Sequence, residues 1–282
     1  MTAFTLAVAS GKGGTGKTFV SVNLALAAGA PLVLQDCDVE EPNDHIFLRP
    51  QWEGEERTTL PVPAFHMERC DLCGACREAC RFQAIAILGK GPLLFPELCH
   101  SCGVCLRVCP KEAITEVPRE IGSIARGRRG KVRFVQGKLD VGEARSSPLV
   151  EAVRKKEAGD LPVLADCPPG TSCPVVAAVT GADYVLLVTE PTPFGLHDLE
   201  LALQMVRALG LRAGVVINKA GLGKGDVEAF CRKEGLPLLA RIPFDKGIAR
   251  VVSRGGIAAE EIAGMKELFR GLWERILEEA GP

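Results

Sequence analysis

The sequence predicts an α/β protein with a doubly wound, mostly parallel sheet, interrupted by one small cysteine-rich insert. Three observations predict this. Short runs that are apolar on both faces alternate with stretches of helical periodicity, as in parallel strands covered by helices on both sides. The alternation stops between Pro61 and Val117 and then resumes. Inside that gap Cys70-Asp-Leu-Cys-Gly-Ala-Cys-Arg-Glu-Ala-Cys-Arg-Phe-Gln-Ala-Ile85 matches Cys99-His-Ser-Cys-Gly-Val-Cys-Leu-Arg-Val-Cys-Pro-Lys-Glu-Ala-Ile114, shifted by 29 residues. The insert therefore reads as two related halves.

The expected strands are Thr5 to Ser10, Leu32 to Gln35, Val163 to Ala165, Tyr184 to Thr189, Ala213 to Ile217 and Leu236 to Ile242, each closing on a polar or glycine-rich turn. Helices are expected over Lys17 to Ala28, Gly195 to Leu209, Asp226 to Glu234 and Ala258 to Glu279. The domain boundaries follow: 1–61 and 118–282 form the main domain, and 62–117 is the insert. Between Arg126 and Lys138 six Arg and Lys residues with interspersed glycines read as a solvated hairpin face, in preference to a docking patch for an acidic partner.

At 282 residues, 47% hydrophobic and with a formal charge of -1, the chain holds one large core plus a small module. That balance argues against a disordered chain and against nucleic-acid binding. No apolar run approaches the roughly 18 residues of a membrane helix. The start MTAFTLAVASGKGG has neither a basic segment nor a cleavage site, so a cytoplasmic protein is expected. Twelve cysteines in a reducing compartment point to metal or redox chemistry.

Gly11-Lys-Gly-Gly-Thr-Gly-Lys-Thr18 fits G-x-x-x-x-G-K-[ST] between an apolar strand and a helix. In that motif Gly11, Gly13, Gly14, Thr15 and Gly16 let the backbone close around phosphates, Lys17 neutralises the β and γ phosphates, and Thr18 offers a hydroxyl to Mg2+. ATP or ADP with Mg2+ is the expected ligand. A second lysine, Lys12, follows the first glycine. With it the sequence resembles the MinD/ParA type of P-loop ATPase, with its deviant Walker A loop, whose relatives include the nitrogenase iron protein and the Mrp/Nbp35-like ATPases. The resemblance implies that Lys12 reaches across a dimer to the partner's phosphates, as an arginine finger does. It implies a homodimer or a heterodimer with a paralogue. In Asp36-Cys-Asp38 it makes Asp38 the residue that orients the attacking water and Asp36 a support for magnesium or the switch. It gives Asp166 the magnesium shell, and Asn218, Lys219, Pro243 and Asp245 the adenine. Any one of these aspartates alone would read as a helix cap at a strand end; their order after a phosphate loop favours the nucleotide.

Both halves of the insert have the spacing C-x2-C-x2-C-x3-C, and Pro110 follows the second. This run resembles that of bacterial two-cluster ferredoxins, small α+β domains in which three cysteines of one half and the fourth of the other hold each 4Fe-4S cluster. Cys70, Cys73, Cys76 and Cys109 would hold one cluster, and Cys99, Cys102, Cys105 and Cys80 the other. Zinc is the competing metal, disfavoured by the internal repeat. Arg81 departs from the pattern where the second half has Pro110. Phe82, Ile85, Ile87 and Ile114 are expected to pack the module. Of the other cysteines, Cys37, Cys167 and Cys231 read as buried small residues. Cys173 reads either as a packed residue at a helix start or as a metal or redox group at a dimer interface. The last helix carries an apolar stripe opposite a glutamate-rich face, which favours docking on the core over a membrane surface.

The expected function is ATP hydrolysis in which nucleotide-driven dimer closure is coupled to electron transfer through two 4Fe-4S clusters to or from a redox partner protein. The alternatives are an iron-sulfur cluster scaffold or carrier, and a redox-sensing positioning ATPase.

Overall fold

The computed structural model describes residues 4–156, 159–223 and 225–281. In chain order the elements begin with β1 (Thr5–Ala9), α1 (Lys17–Ala27), β2 (Leu32–Asp36), α2 (Asp44–Leu48), β3 (Gln51–Phe65), α3 (Ala75–Ala79), β4 (Ile85–Leu88), β5 (Gly91–Leu94) and α4 (Val104–Arg107). There follow β6 (Ile114–Arg129), β7 (Val132–Leu139), α5 (Ser147–Arg154), β8 (Val163–Asp166), α6 (Cys173–Val179), β9 (Tyr184–Thr189) and α7 (Pro193–Ala208). The chain ends through β10 (Ala213–Ala220), α8 (Val227–Glu234), β11 (Leu238–Pro243), α9 (Lys246–Ser253), α10 (Ala258–Glu261) and α11 (Met265–Ala280).

Two compact units result: Met1–Glu56, Ile124–Lys138 and Ser146–Pro282 form the first, Arg57–Ser123 and Leu139–Arg145 the second. The larger sheet has the order β11-β10-β9-β1-β8-β2-β7-β6-β3. β1 pairs in parallel with β8 and β9, β2 with β7 and β8, and β10 with β9 and β11. The strands of this block are apolar on both faces because helices cover both: Leu6 to Ala9 and Tyr184 to Val188 are almost wholly buried. β6 and β7 form a hairpin turned at Gly130, whose φ is 55°. Its basic residues are largely spent: Arg129 forms a two-pronged bond to Glu260, Arg128 pairs with Glu53, and Lys131 donates to the Gly29 oxygen.

The last helix expected from the sequence is two. Gly264 takes a left-handed φ of 79° and separates α10 from α11. The stripe Met265, Phe269, Leu272, Trp273 and Ile276 is buried, and Phe269 meets Phe19 of α1 edge-to-face at 5.8 Å. That face is spent in the core. Among the described residues no helix is long and apolar enough to cross a membrane.

The second unit repeats its own backbone at the 29-residue interval. Leu72 and Ser101 are both left-handed (φ 59° and 54°), as are Gly74 and Gly103, and Gln83 and Glu112. The α3 and α4 turns follow each glycine. Ala84 and Ala113 are both 1% exposed, and each precedes a buried isoleucine, Ile85 or Ile114, that starts a strand. Phe82 departs from the expected packing. It is 41% exposed and stacks on His100 at 3.6 Å.

Candidate functional site

The loop between β1 and α1 is shaped by what surrounds its glycines. Gly16 has φ 93°, and an added Cβ would lie 2.2 Å from Asn218 Nδ2. That amide donates to the Thr15 oxygen at 2.8 Å, and its Oδ1 accepts the Lys219 N–H at 2.9 Å. The loop after β10 is thus stitched to the phosphate loop. Gly11 sits as tightly against α7, where a Cβ would lie 2.0 Å from the Asp198 oxygen. Gly13 and Gly14 are exposed, with open space where a Cβ would go. α1 starts at Lys17 with no side-chain cap, which leaves its first N–H groups for an anion.

Lys17 is buried, Thr18 Oγ1 donates to Asp166 Oδ2 at 2.8 Å, and Ser21 Oγ donates to Asp166 Oδ1 at 2.9 Å. Thr18 spends its proton on Asp166 and keeps its oxygen lone pairs for a cation, which is the donor chemistry magnesium takes. Asp36 pairs in register with Asp166 across β2 and β8. Its carboxylate accepts the N–H groups of Asp38, Asn43 and Asp44 at 3.2, 3.0 and 3.1 Å, closing 37–44 into a loop. Burial, opposed by the nearby Lys17 charge, pushes the Asp38 carboxyl up to about 6.

Two residues of this site went unread in the sequence. Asp44 is wholly buried, and no neighbouring N–H or hydroxyl reaches either of its oxygens. Burial first, then the charges of Asp166 and Asp36, hold its carboxyl well above the usual range. At a helix start an aspartate reads as an ordinary first-turn acid, so only the tertiary neighbours mark it. The second is Glu190, after β9. Its Oε1 lies 2.7 Å from Lys12 Nζ and its Oε2 3.1 Å from Lys219 Nζ.

The crowded carboxyls have a measurable consequence. A carboxyl whose pKa is raised on folding holds its proton longer in the fold than in the unfolded chain. Its cost to stability is absent below the unfolded pKa of about 4 and grows as pH rises toward the folded value. Asp44→Asn removes that cost. In metal-free protein with chelator, the variant is expected to be more stable than the parent at pH 8 and to lose most of that gain by pH 4. Urea unfolding at both pH values checks this.

Asn218, Lys219, Pro243, Phe244 and Asp245 line one pocket with Gly16 and Phe19. Phe244 is 54% exposed, an aromatic face open at the rim. Asp245 Oδ1 accepts the Gly247 and Ile248 N–H groups at 2.6 and 3.1 Å, capping α9.

In the second unit Cys80, Cys99, Cys102 and Cys105 line one cavity with Phe82 and His100. Burial raises the Cys105 thiol to about 11, and Cys99 and Cys102 add to this from close by. Burial likewise raises Cys76, with Cys70 and Cys109 as its cysteine neighbours. The fourth cysteine of each half accepts an N–H bond four residues on: Ala84 to Cys80 Sγ and Ala113 to Cys109 Sγ, both at 3.3 Å. Among the described residues no three His, Cys, Asp or Glu side chains converge on one point to hold a single metal ion. Cys37, Cys167 and Cys231 are buried, and burial with the Asp166 charge lifts the Cys167 thiol to about 12. Cys173 starts α6 and is exposed.

A protein of Methanocaldococcus jannaschii, the uncharacterized MJ0578, is 29% identical over 282 residues, covering 97% of this chain and 96% of its own. The bovine cytosolic Fe-S cluster assembly factor NUBP2 is 27% identical over 270 residues, covering 88% and 82%. The septum site-determining protein MinD of Pyrococcus horikoshii, solved with Mg-ADP, shares the fold with a TM-score of 0.61 at 22% identity, covering 99% and 98%. The CbiA family model, the CobQ/CobB/MinD/ParA nucleotide binding domain, matches residues 6–257. That span takes in every residue of the phosphate-loop site, and the chain belongs to this MinD/ParA-type nucleotide-binding family.

Proposed function

We propose that the protein hydrolyses ATP and couples nucleotide-driven closure of two subunits to electron transfer through two 4Fe-4S clusters. In the nucleotide half, Lys17 neutralises the phosphates and Asp38 orients the attacking water. Thr18 and Asp166 would hold magnesium, whose charge screens the phosphate oxygens when bound. Lys12 acts in trans on the nucleotide of a second subunit, identical or a paralogue, so that closure and transition-state stabilisation are one event.

The observation that carries the cluster half is the cavity lined by Cys80 together with Cys99, Cys102 and Cys105. It joins the fourth cysteine of one run to the first three of the other, the crossed donor set of a two-cluster protein. Thiolate donors suit iron-sulfur chemistry, and the paired N–H bonds to Cys80 and Cys109 suit cysteines that carry charge when ligated. When bound, the clusters supply one-electron transfer. The coupling has a covalent route: the chain leaves Asp36–Asp38, passes α2 and enters the second unit within β3.

The test is an anaerobic potential titration followed by electron paramagnetic resonance, without nucleotide, with ADP, and with a non-hydrolysable ATP analogue and Mg2+. A nucleotide-dependent shift in potential is the expected result, each tenfold change in equilibrium being about 59 mV for one electron. Identical potentials in all three states would overturn the thermodynamic coupling. Similarity to NUBP2, a cytosolic Fe-S cluster assembly factor, favours a second reading in which clusters are handed to acceptors. No paired C-x-x-C stands outside the two runs. Cluster transfer to an apo-acceptor at a rate that ATP changes would favour this second reading.

A further inference from the structure

The Lys12 ammonium is already engaged within its own subunit. Glu190 follows β9, which lies between β1 and β10 in the sheet. Ala9 pairs with Leu187 and Ile217 with Thr189, so the loops after all three strands meet at one edge. There one carboxylate bridges two ammonium groups, Lys12 from the phosphate loop and Lys219 from the loop after β10. Lys219 is held left-handed, with φ 53°, and also donates to the Gly14 oxygen at 3.0 Å. The main chain at Glu190 is fixed from behind: its oxygen accepts the Thr192 N–H at 2.8 Å, and a Cβ on Gly195 would lie 2.3 Å from that oxygen. The Glu190 side chain is only 13% exposed. Burial pushes its carboxyl up, but the bonds from Lys12 and Lys219 outweigh this and hold it below the usual range.

We propose that Glu190 is a positioning residue for Lys12: it holds the lysine in cis beside its own phosphate loop, and Lys12 must leave it to reach the partner's nucleotide. The inference rests on the trans role of Lys12 given above. Two lysines share one carboxylate, so the bridge keeps an excess positive charge. A polyphosphate arriving nearby competes for the same ammonium groups with more negative charge than Glu190 offers. Lys219 stays on Glu190 when Lys12 goes, so the carboxylate is not left unpaired. Glu190 thus opposes closure of nucleotide-free subunits and gives way when phosphates are present.

The test measures ATP-dependent dimerisation of the whole, cluster-loaded chain. Glu190→Gln keeps the shape and removes the charge that holds Lys12. With a non-hydrolysable ATP analogue and Mg2+, light scattering is expected to show half-dimerisation at about tenfold lower protein concentration than in the parent, since a part-exposed ion pair is lost in each subunit. The ATPase rate of the variant should reach half its plateau at a correspondingly lower protein concentration, with the gain in that midpoint and not in the plateau. Glu190→Asp keeps the charge but draws it back by one methylene; its midpoint should fall between the two. Midpoints for both variants equal to or above the parent's would overturn the proposal. Lys12→Ala separates the two claims: if it dimerises and hydrolyses ATP as the parent does, the trans role fails, whereas its inactivity with unmoved Glu190 midpoints sinks the latch alone.

Discussion

Lys12→Ala is expected to lower ATP hydrolysis by about three orders of magnitude while leaving ADP binding to a single subunit within a few-fold of the parent. The size follows from the chemistry of a cation delivered to the transferring phosphoryl group, which in comparable enzymes is worth roughly 10^3 or more in rate. The split follows from geometry. Lys12 reaches Glu190, while Lys17, Thr18 and the stitched Asn218 belong to the loop proposed to hold the phosphates of the subunit's own nucleotide. A lysine that bound phosphate only in cis would, when removed, weaken ADP and hydrolysis together. Calorimetric ADP titration beside a phosphate-release assay separates these outcomes. The variant should also lose any difference in cluster potential between ADP and ATP analogue, since that difference requires closure.

The parallel block and the phosphate loop were legible because their signals are local. A strand apolar on both faces and a glycine-rich turn before a helix are written into consecutive residues. β3 and β6 were not legible. Most of β3 is exposed, and Glu53 to Thr59 is a run of Glu, Arg and Thr around Gly54 that carries no buried face for periodicity to register. The break before α11 needed Gly264 to be left-handed, whereas one glycine within a helical pattern reads as merely unfavourable. Within the site, the motif residues could be named in advance, but Asp44 and Glu190 could not. Asp44 becomes notable only beside Asp166, and Glu190 only beside Lys12, which is 178 residues away in the chain. Sequence spacing marks groups that bind a common ligand from one loop; groups that oppose one another across the sheet edge are set by topology.

Cys80→Ala is expected to remove the cluster proposed for Cys99, Cys102 and Cys105, and to spare the one proposed for Cys70, Cys73, Cys76 and Cys109. Half of the iron and sulfide should be lost. The surviving resonance signal should match that of Cys105→Ala and differ from that of Cys76→Ala. The reason lies in the backbone. The first two cysteines of each run lie in a tight turn fixed by left-handed residues, Leu72 and Gly74 in one half and Ser101 and Gly103 in the other. The third cysteine, Cys76 or Cys105, lies in the first turn of α3 or α4, and the fourth, Cys80 or Cys109, comes just after the helix. Cys80 accordingly lines the cavity of the opposite half, and Cys109 neighbours Cys76. If each run served its own cluster, Cys80→Ala would instead resemble Cys76→Ala. Nucleotide binding should survive in all three variants, because the core of the nucleotide unit, from Leu6 to Ile276, includes none of these cysteines. Loss of ADP affinity along with the cluster would show that the second unit supports the fold of the first, and not only its chemistry.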